Sequence, residues 1–170
     1  MRLNNLVSIF SALAPLAAAS PLGGFGLASW DVEGFAKDNP IGTTTGGKGG
    51  PTVTVNNAAE FSAAVAGNEP KVVRVKGEIK FPSRPKIGSN KSVIGVGLSA
   101  HITGSGLDVM DATNVIIQNL RISFIQDADC ITIRNSTRVW VDHNEFTSDI
   151  TKGPDFFVSF LADFCLITVD

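Results

Sequence analysis

The chain has 170 residues, which is enough for a single domain. Its 14 lysines and arginines nearly balance 16 aspartates and glutamates, so the formal net charge is −2. This balance provides no electrostatic attraction to nucleic acid or to an anionic membrane surface, and we expect neither as a partner. Hydrophobic residues make up 44% of the chain, which is sufficient for a core.

The first nineteen residues predict a secretory signal peptide. Arg2 supplies a positive start, an apolar run extends from Leu6 to Leu16, and three alanines ending at Ala19 offer small residues for cleavage. The apolar run is too short to span a bilayer comfortably, so a buried or anchoring helix is the less favoured alternative. We therefore expect a secreted, extracellular and monomeric protein.

Secretion permits disulfides and glycans. Cys130 and Cys165 are the two cysteines, and either one bridge or two buried free thiols fits their number. Two glycosylation sequons begin at Asn90 and Asn135, and each is a candidate if it lies on a turn.

Residues 20–56 form a segment rich in glycine and threonine without periodicity, which predicts an irregular arm. A short helix follows, because Asn57 can cap it and Glu60 lies three residues later. Phe61 and Val65 fall on one helix face, and Gly67 is placed to end the helix. We expect this apolar face to cover the end of the structure that follows.

From residue 71 the pattern changes to short β-rich runs that recur roughly every 22 residues. The first set begins at Val72, Val93, Val115 and Val139. The second set is Ile79, Ile102, Ile122 and Phe146, and the third is Ile87, Val109 and Ile131. Three short strands in each repeat are typical of a parallel β-helix, in which stacked coils pair their backbones and align like side chains inside.

Two other folds fit less well. A leucine-rich repeat needs a recurring leucine frame, which the chain lacks. A β-sandwich does not explain why all three sets of apolar residues recur with the same spacing. We predict an all-β fold, a right-handed parallel β-helix that forms a partial solenoid of about three to four coils over residues 57–155. Residues 156–170 form a divergent apolar tail without a clear partner pattern.

Two acidic residues precede the strand that begins at Cys130. Asp127 and Asp129, two residues apart at a turn, can converge on a hard cation such as Ca²⁺. Spacing alone favours ordinary turn chemistry, in which aspartate tightens the turn. Strand alternation also puts Asp129 on the same face as Ile131, so Asp129 can face solvent only if the chain bends before residue 130.

The run from Val139 to Asn144 contains the neighbouring pair Asp142 and His143, whose side chains could suggest acid–base catalysis. Adjacent residues on a strand point to opposite faces, so we expect the pair not to share a site. A structural role near a turn is the favoured interpretation. The chain shows no motif for a serine or cysteine nucleophile and no zinc motif.

At these residues the chain resembles the pectate lyases of the polysaccharide lyase superfamily, the fungal members in particular. The resemblance covers roughly residues 30–155. The segments that carry it are Gly34–Ala36 with the glycine-rich arm, Lys86–Gly95, Asn114–Leu120, Asp129–Ile133 and Val139–His143.

The resemblance implies β-elimination in polygalacturonate, the de-esterified pectin of plant cell walls, with Ca²⁺ bridging the enzyme and a uronate carboxylate. Asp129 matches the first calcium aspartate of the family, and Asp127 matches a second one found in some members. The arginine that serves as base in the family has no counterpart in this sequence, nor does the later Asp-Gly-x-x-Asp motif. We therefore assign no catalytic residue and expect a C-terminally truncated chain with little or no activity.

Two alternative functions stay open. A non-catalytic, carbohydrate-binding or structural β-helix fits incomplete calcium coordination. A pectin lyase, which acts on methylated substrate without calcium, is disfavoured because it does not need Asp127 and Asp129.

Overall fold

The computed structural model describes residues 32–125 and 129–147, together with the backbone of residues 158–161. The predicted signal peptide (residues 1–19), Asp127 and Cys165 lie outside the described residues. No helix in the described ranges is long and apolar enough to cross a membrane.

The described strands form three parallel sheets, and after the first two strands, which share a sheet, each strand along the chain lies in the next sheet. Sheet A contains β1 (Thr52–Val55), β2 (Lys71–Val75), β5 (Lys91–Gly95), β8 (Thr113–Gln118) and β11 (Thr137–Asp142). Sheet B contains β3 (Glu78–Lys80), β6 (His101–Gly104), β9 (Arg121–Ile125) and β12 (Glu145–Thr147). Sheet C contains β4 (Lys86–Ile87), β7 (Leu107–Met110), β10 (Ile131–Arg134) and β13 (Val158–Leu161). This is the predicted parallel β-helix.

The predicted interior columns are confirmed for sheet B and shifted in the other two sheets. Ile79, Ile102, Ile122 and Phe146 lie opposite one another in consecutive coils. In sheet A, however, Val93 lies opposite Ile117 and not Val115. In sheet C, Val109 lies opposite Ile133 and not Ile131. Both of these shifts are two residues, so they leave the same side chains facing inward. The prediction of Val72 as an interior residue is wrong, because Val73 lies opposite Val93 and is fully buried, whereas Val72 is partly exposed.

Both ends of the strand region extend further than predicted. β1 falls inside the segment expected to be an irregular arm, yet it pairs with β2, with Val53 opposite Val73. β13 lies in the tail for which no partner was expected, and its backbone pairs with β10 from Val158 opposite Ile131 onward. Pairing satisfies backbone donors and acceptors that a sheet edge would otherwise leave open.

The predicted capping helix, α2 (Ala58–Val65), is confirmed after a short helix α1 (Gly34–Lys37) that the sequence did not indicate. Asn57 Oδ1 accepts the Glu60 amide at 2.9 Å, and Gly67 follows the helix with φ of 68°. Phe61 is fully buried and meets the ring of Phe81 edge-on, with the centroids 4.9 Å apart. The helix therefore closes the N-terminal end of the interior column.

The arm covers the outer face of sheet A. Ala36 of α1 packs on Ile116 and Trp140, which point outward from β8 and β11. Further along the arm, the Gly47 amide donates to Ser92 Oγ at 2.9 Å. A Cβ on Gly46 would lie 2.2 Å from the same hydroxyl, so only glycine allows this close approach. Sheet A is thus covered on both faces, whereas the outer face of sheet C carries the site described next.

Candidate metal and substrate site

Asp129 lies in the connection between β9 and β10, two residues before the strand begins. The chain bends at Cys130, so Asp129 is partly exposed while Ile131 points into the core with no exposure. The bend confirms the condition that the sequence set for an outward-facing Asp129. The neighbouring Asp127 lies outside the described residues, and its part in the site stays a prediction.

Hydrogen bonds from Arg84 and Thr132 hold the main chain and the side chain of Asp129. Arg84 Nη2 donates to the Asp129 carbonyl at 2.9 Å and to Thr132 Oγ1 at 2.6 Å. The Thr132 hydroxyl in turn lies 3.4 Å from Asp129 Oδ2, to which it donates. In the part of the chain that the structure describes, Oδ1 of Asp129 has no hydrogen-bond partner and keeps its acceptor capacity. No local sequence pattern points to Arg84, because it lies 45 residues before Asp129.

The outer face of sheet C beside Asp129 is polar. Lys86, Asp108 and Thr132 lie opposite one another on β4, β7 and β10, and each side chain points away from the core. Asp108 Oδ1 and Arg84 Nε are buried and have no hydrogen-bond partner among the described residues. Buried polar atoms of this kind normally find a partner in water, an ion or a ligand.

These residues fit part of a calcium site. Ca²⁺ takes six to eight oxygen ligands, and a carboxylate with a free oxygen is the ligand type that it prefers. Asp129 meets that requirement, but within the described ranges no three histidine, cysteine or acidic side chains gather closely enough to hold a metal. The described residues therefore provide one corner of a coordination sphere.

Cys130, next to Asp129, is a free and buried thiol. Burial, with a smaller contribution from the Asp129 charge, raises the pKa of this thiol to about 11. Its side chain is packed in the core and Ca²⁺ prefers oxygen ligands, so Cys130 is not a candidate calcium ligand. Of the two predicted alternatives, the structure has the free thiol at this position.

The prediction that Asp142 and His143 do not share a site is wrong. β11 ends at Asp142, and His143 adopts a left-handed backbone with φ of 50°, so the alternation of a strand no longer applies. His143 Nδ1 lies 2.6 Å from Asp142 Oδ2, which also accepts from Gln118 Nε2 at 2.9 Å. Asp142 is buried at the end of its strand, in agreement with the predicted structural role near a turn.

A serine–histidine–glutamate chain, which the sequence did not indicate, crosses the outer face of sheet B. His101 Nε2 lies 2.7 Å from Ser123 Oγ, and His101 Nδ1 lies 3.5 Å from Glu78 Oε2. Ser123 is only 1% exposed, so no substrate reaches its hydroxyl. These three side chains therefore link three consecutive coils and do not form a nucleophilic site.

The two glycosylation candidates occupy different surroundings. Asn135 is exposed on the turn after β10, where its Nδ2 donates to Asp111 Oδ1 at 2.7 Å. Asn90 is partly buried, and its Nδ2 donates to the Asn68 carbonyl at 2.9 Å while Oδ1 accepts from Asn114. Both residues have positive φ, as turn asparagines often do.

Comparisons with known proteins agree with this architecture. Pectate lyase A of Emericella nidulans is 37% identical over 162 residues, which cover 89% of this chain and 50% of the relative. Pectate lyase B of Colletotrichum gloeosporioides is 43% identical over 117 residues, which cover 67% of this chain and 35% of the relative. The chain thus spans half or less of the length of these curated relatives.

Solved structures show the same fold. The pectate lyase Bsp165PelA from Bacillus sp. N165, solved in complex with trigalacturonate, superposes with a TM-score of 0.62 at 29% identity. The match covers 71% of this chain and 44% of that structure. The family model described as pectate lyase matches residues 6–153, which is most of the sequence. This family match, the similarity to the curated relatives and the three parallel sheets show that the chain belongs to the pectate lyase family.

Proposed function

We propose that the protein containing these residues cleaves polygalacturonate, the de-esterified form of plant cell-wall pectin, by calcium-dependent β-elimination. Family membership supports the reaction class. The trigalacturonate bound to the similar Bacillus enzyme supports the substrate class. The observation that carries the proposal is the outward-facing Asp129, which has a free carboxylate oxygen on the polar face of sheet C.

We assign Asp129 and Asp127 as two of the calcium ligands. When bound, Ca²⁺ supplies Lewis-acid polarisation of a uronate carboxylate, which acidifies the adjacent C5 proton. Asp129 contributes negative charge on one side of that ion, and Lys86 lies on the neighbouring surface, where an ammonium group favours an anionic substrate.

The polypeptide of these 170 residues is expected to turn over polygalacturonate slowly or not at all. The family's base arginine matches no residue of this sequence, so none of its residues is assigned as the base. General base catalysis contributes roughly 10²–10⁴-fold to a rate, and its loss alone would make turnover hard to detect.

The natural protein that contains these residues, purified from the medium in which it is secreted, provides the test. With polygalacturonate and calcium, the ultraviolet absorbance of the unsaturated product should rise, stop when a chelator is added, and recover with fresh calcium. Retention on pectate without any product would support the carbohydrate-binding alternative and contradict the proposal. Chelator-resistant cleavage of methylated pectin would contradict it in favour of a pectin lyase.

Secretion is proposed on the pattern of residues 1–19. N-terminal sequencing of the protein from the medium should begin close to residue 20. A mature chain that starts at Met1 would contradict this processing.

A further inference from the structure

Arg84 reaches across a whole strand to contact Asp129. It lies in the connection between β3 and β4, whereas its two hydrogen-bond partners lie at and just before β10. The order of sheet C places β7 between β4 and β10, so the guanidinium spans roughly 10 Å of sheet surface. A long side chain held across two strand spacings has lost much of its rotamer freedom, and its contacts must offset that loss.

The chemistry of arginine fixes the direction of the hydrogen bonds. A guanidinium only donates, so Thr132 Oγ1 must accept from Arg84 Nη2. The hydroxyl proton of Thr132 is then free to point to Asp129 Oδ2, 3.4 Å away. The same nitrogen of Arg84 also holds the Asp129 carbonyl. One side chain thus anchors the main chain of Asp129 and, through Thr132, one oxygen of its carboxylate.

We propose that Arg84, acting through Thr132, is the positioning residue that orients the Asp129 carboxylate toward a divalent cation. This inference rests on the proposed calcium role of Asp129. Oδ2 is held by Thr132, which leaves Oδ1 as the oxygen presented to the metal. Groups that orient a metal ligand in this way typically contribute 10- to 100-fold to metal affinity.

The charge of Arg84 and its hydrogen bonds have opposite effects on the affinity of the site for a cation. A positive charge beside a cation site weakens cation binding, whereas an oriented carboxylate strengthens it. Variants that keep the net charge therefore separate the two effects. Arg84→Lys keeps the charge but lacks Nη2 and ends on a shorter, flexible stem, so its ammonium is not held between the Asp129 carbonyl and Thr132 Oγ1. Thr132→Val removes only the hydroxyl, and Thr132→Ser restores it.

The test uses the 170-residue chain, Ca²⁺ titration by calorimetry, and amide hydrogen exchange of residues 129–132 without calcium. Arg84→Lys and Thr132→Val should each lower the calcium affinity about tenfold and speed the exchange, because the turn is released. Thr132→Ser should restore both values to near wild type. Arg121→Lys, on the outer face of sheet B and paired with Glu145, is the charge-matched control and should change neither.

Wild-type affinity and wild-type exchange in both Arg84→Lys and Thr132→Val would overturn the proposal, as would a failure of Thr132→Ser to restore them. If the wild-type chain binds no calcium, or if Asp129→Asn leaves binding unchanged, the proposed calcium role fails. The hydrogen-exchange result then decides the positioning role separately: faster exchange in both variants supports it, and unchanged exchange overturns it.

Discussion

The side-chain oxygen of Asn114 accepts the backbone amide of Gly46 at 2.8 Å, although 68 residues separate the two in sequence. The same oxygen accepts the Thr45 amide at 2.6 Å, and Nδ2 of Asn114 donates to the Gly46 carbonyl at 3.1 Å. Nδ2 also donates to Asn90 Oδ1 in the coil below at 2.8 Å. Asn114, the second residue of β8, therefore fastens the arm to sheet A, and its backbone is left-handed with φ of 62°.

Replacing Asn114 with alanine should destabilise the fold markedly. The change leaves buried arm amides without partners and places alanine in a left-handed conformation, which together should cost about 3 kcal/mol in the free energy of unfolding. Urea denaturation of Asn114→Ala measures this loss.

Asn135→Ala is the matched control, because Asn135 also has positive φ but is exposed, and its side chain donates a hydrogen bond to Asp111 and not to the arm. The difference between the two variants isolates the arm contacts and should be about 2 kcal/mol. Equal losses would show that the arm contributes nothing to stability through Asn114.

Phe61→Ala should open the N-terminal end of the column. Phe61 is fully buried between α2 and the interior and contacts Phe81, and such truncations cost about 3–5 kcal/mol because they leave a cavity. Phe35→Ala, at a side chain that is 47% exposed, should change the unfolding free energy by no more than about 0.5 kcal/mol. Similar urea midpoints for the two variants would contradict a capping role for α2.

The sequence predicted the parallel β-helix and most of its inward-facing residues, because these depend on the alternation of apolar side chains, but it placed Val72 inside where the structure has Val73. It placed the sheet B column in the correct register, since Ile79 and Ile102 are the single large apolar residues of β3 and β6. In sheets A and C several apolar residues follow one another at spacings of two. Val93 could then match Val115 or Ile117 equally well, and the pattern alone does not decide between them.

The contacts of the site depended on features that no local pattern contains. Asp142 and His143 meet because His143 leaves the strand with positive φ, which residue alternation cannot foresee. Arg84 contacts Asp129 only after two coils have been stacked. The sequence made a bend before residue 130 the condition for an outward-facing Asp129, and the structure has a bend at Cys130, whereas the calcium role of Asp129 stays a prediction.

The Cys130 thiol should resist alkylation while the chain is folded. Its pKa is raised to about 11, so almost no thiolate exists at pH 8, and the sulfur is 1% exposed. Iodoacetamide labelling of a Cys165→Ser variant, followed by mass spectrometry, should be slow in buffer and fast in urea. Equal rates in the two conditions would contradict the buried thiol.

The same raised pKa predicts how stability depends on pH. The unfolded thiol ionises near pH 9, whereas the folded thiol stays protonated until about pH 11. The stabilising contribution is complete below pH 9 and is lost as the pH rises through this window, because the unfolded state binds fewer protons there. In Cys130→Ala this part of the pH dependence should disappear.

If the protein is secreted as proposed, Asn135 should carry a glycan, and Asn90 should not. Asn135 is exposed on a turn, whereas the amide of Asn90 is bonded between Asn68 and Asn114, and the following Lys91 is fully buried. A sugar on Asn90 would compete with this packing. Mass spectrometry of glycopeptides, with Asn135→Gln as the control, measures the occupancy of both sites. A fully occupied Asn90 would contradict this prediction.

Calcium titration of the 170-residue chain in the presence of trigalacturonate tests the central claim most directly. Asp129→Asn should abolish or strongly weaken binding, because it removes the negative charge from the assigned ligand. Glu145→Gln, which removes an equal charge from the outer face of sheet B, should leave the affinity near that of the wild type. Equal calcium affinity in Asp129→Asn and the wild type would contradict the assignment of this corner as the metal site.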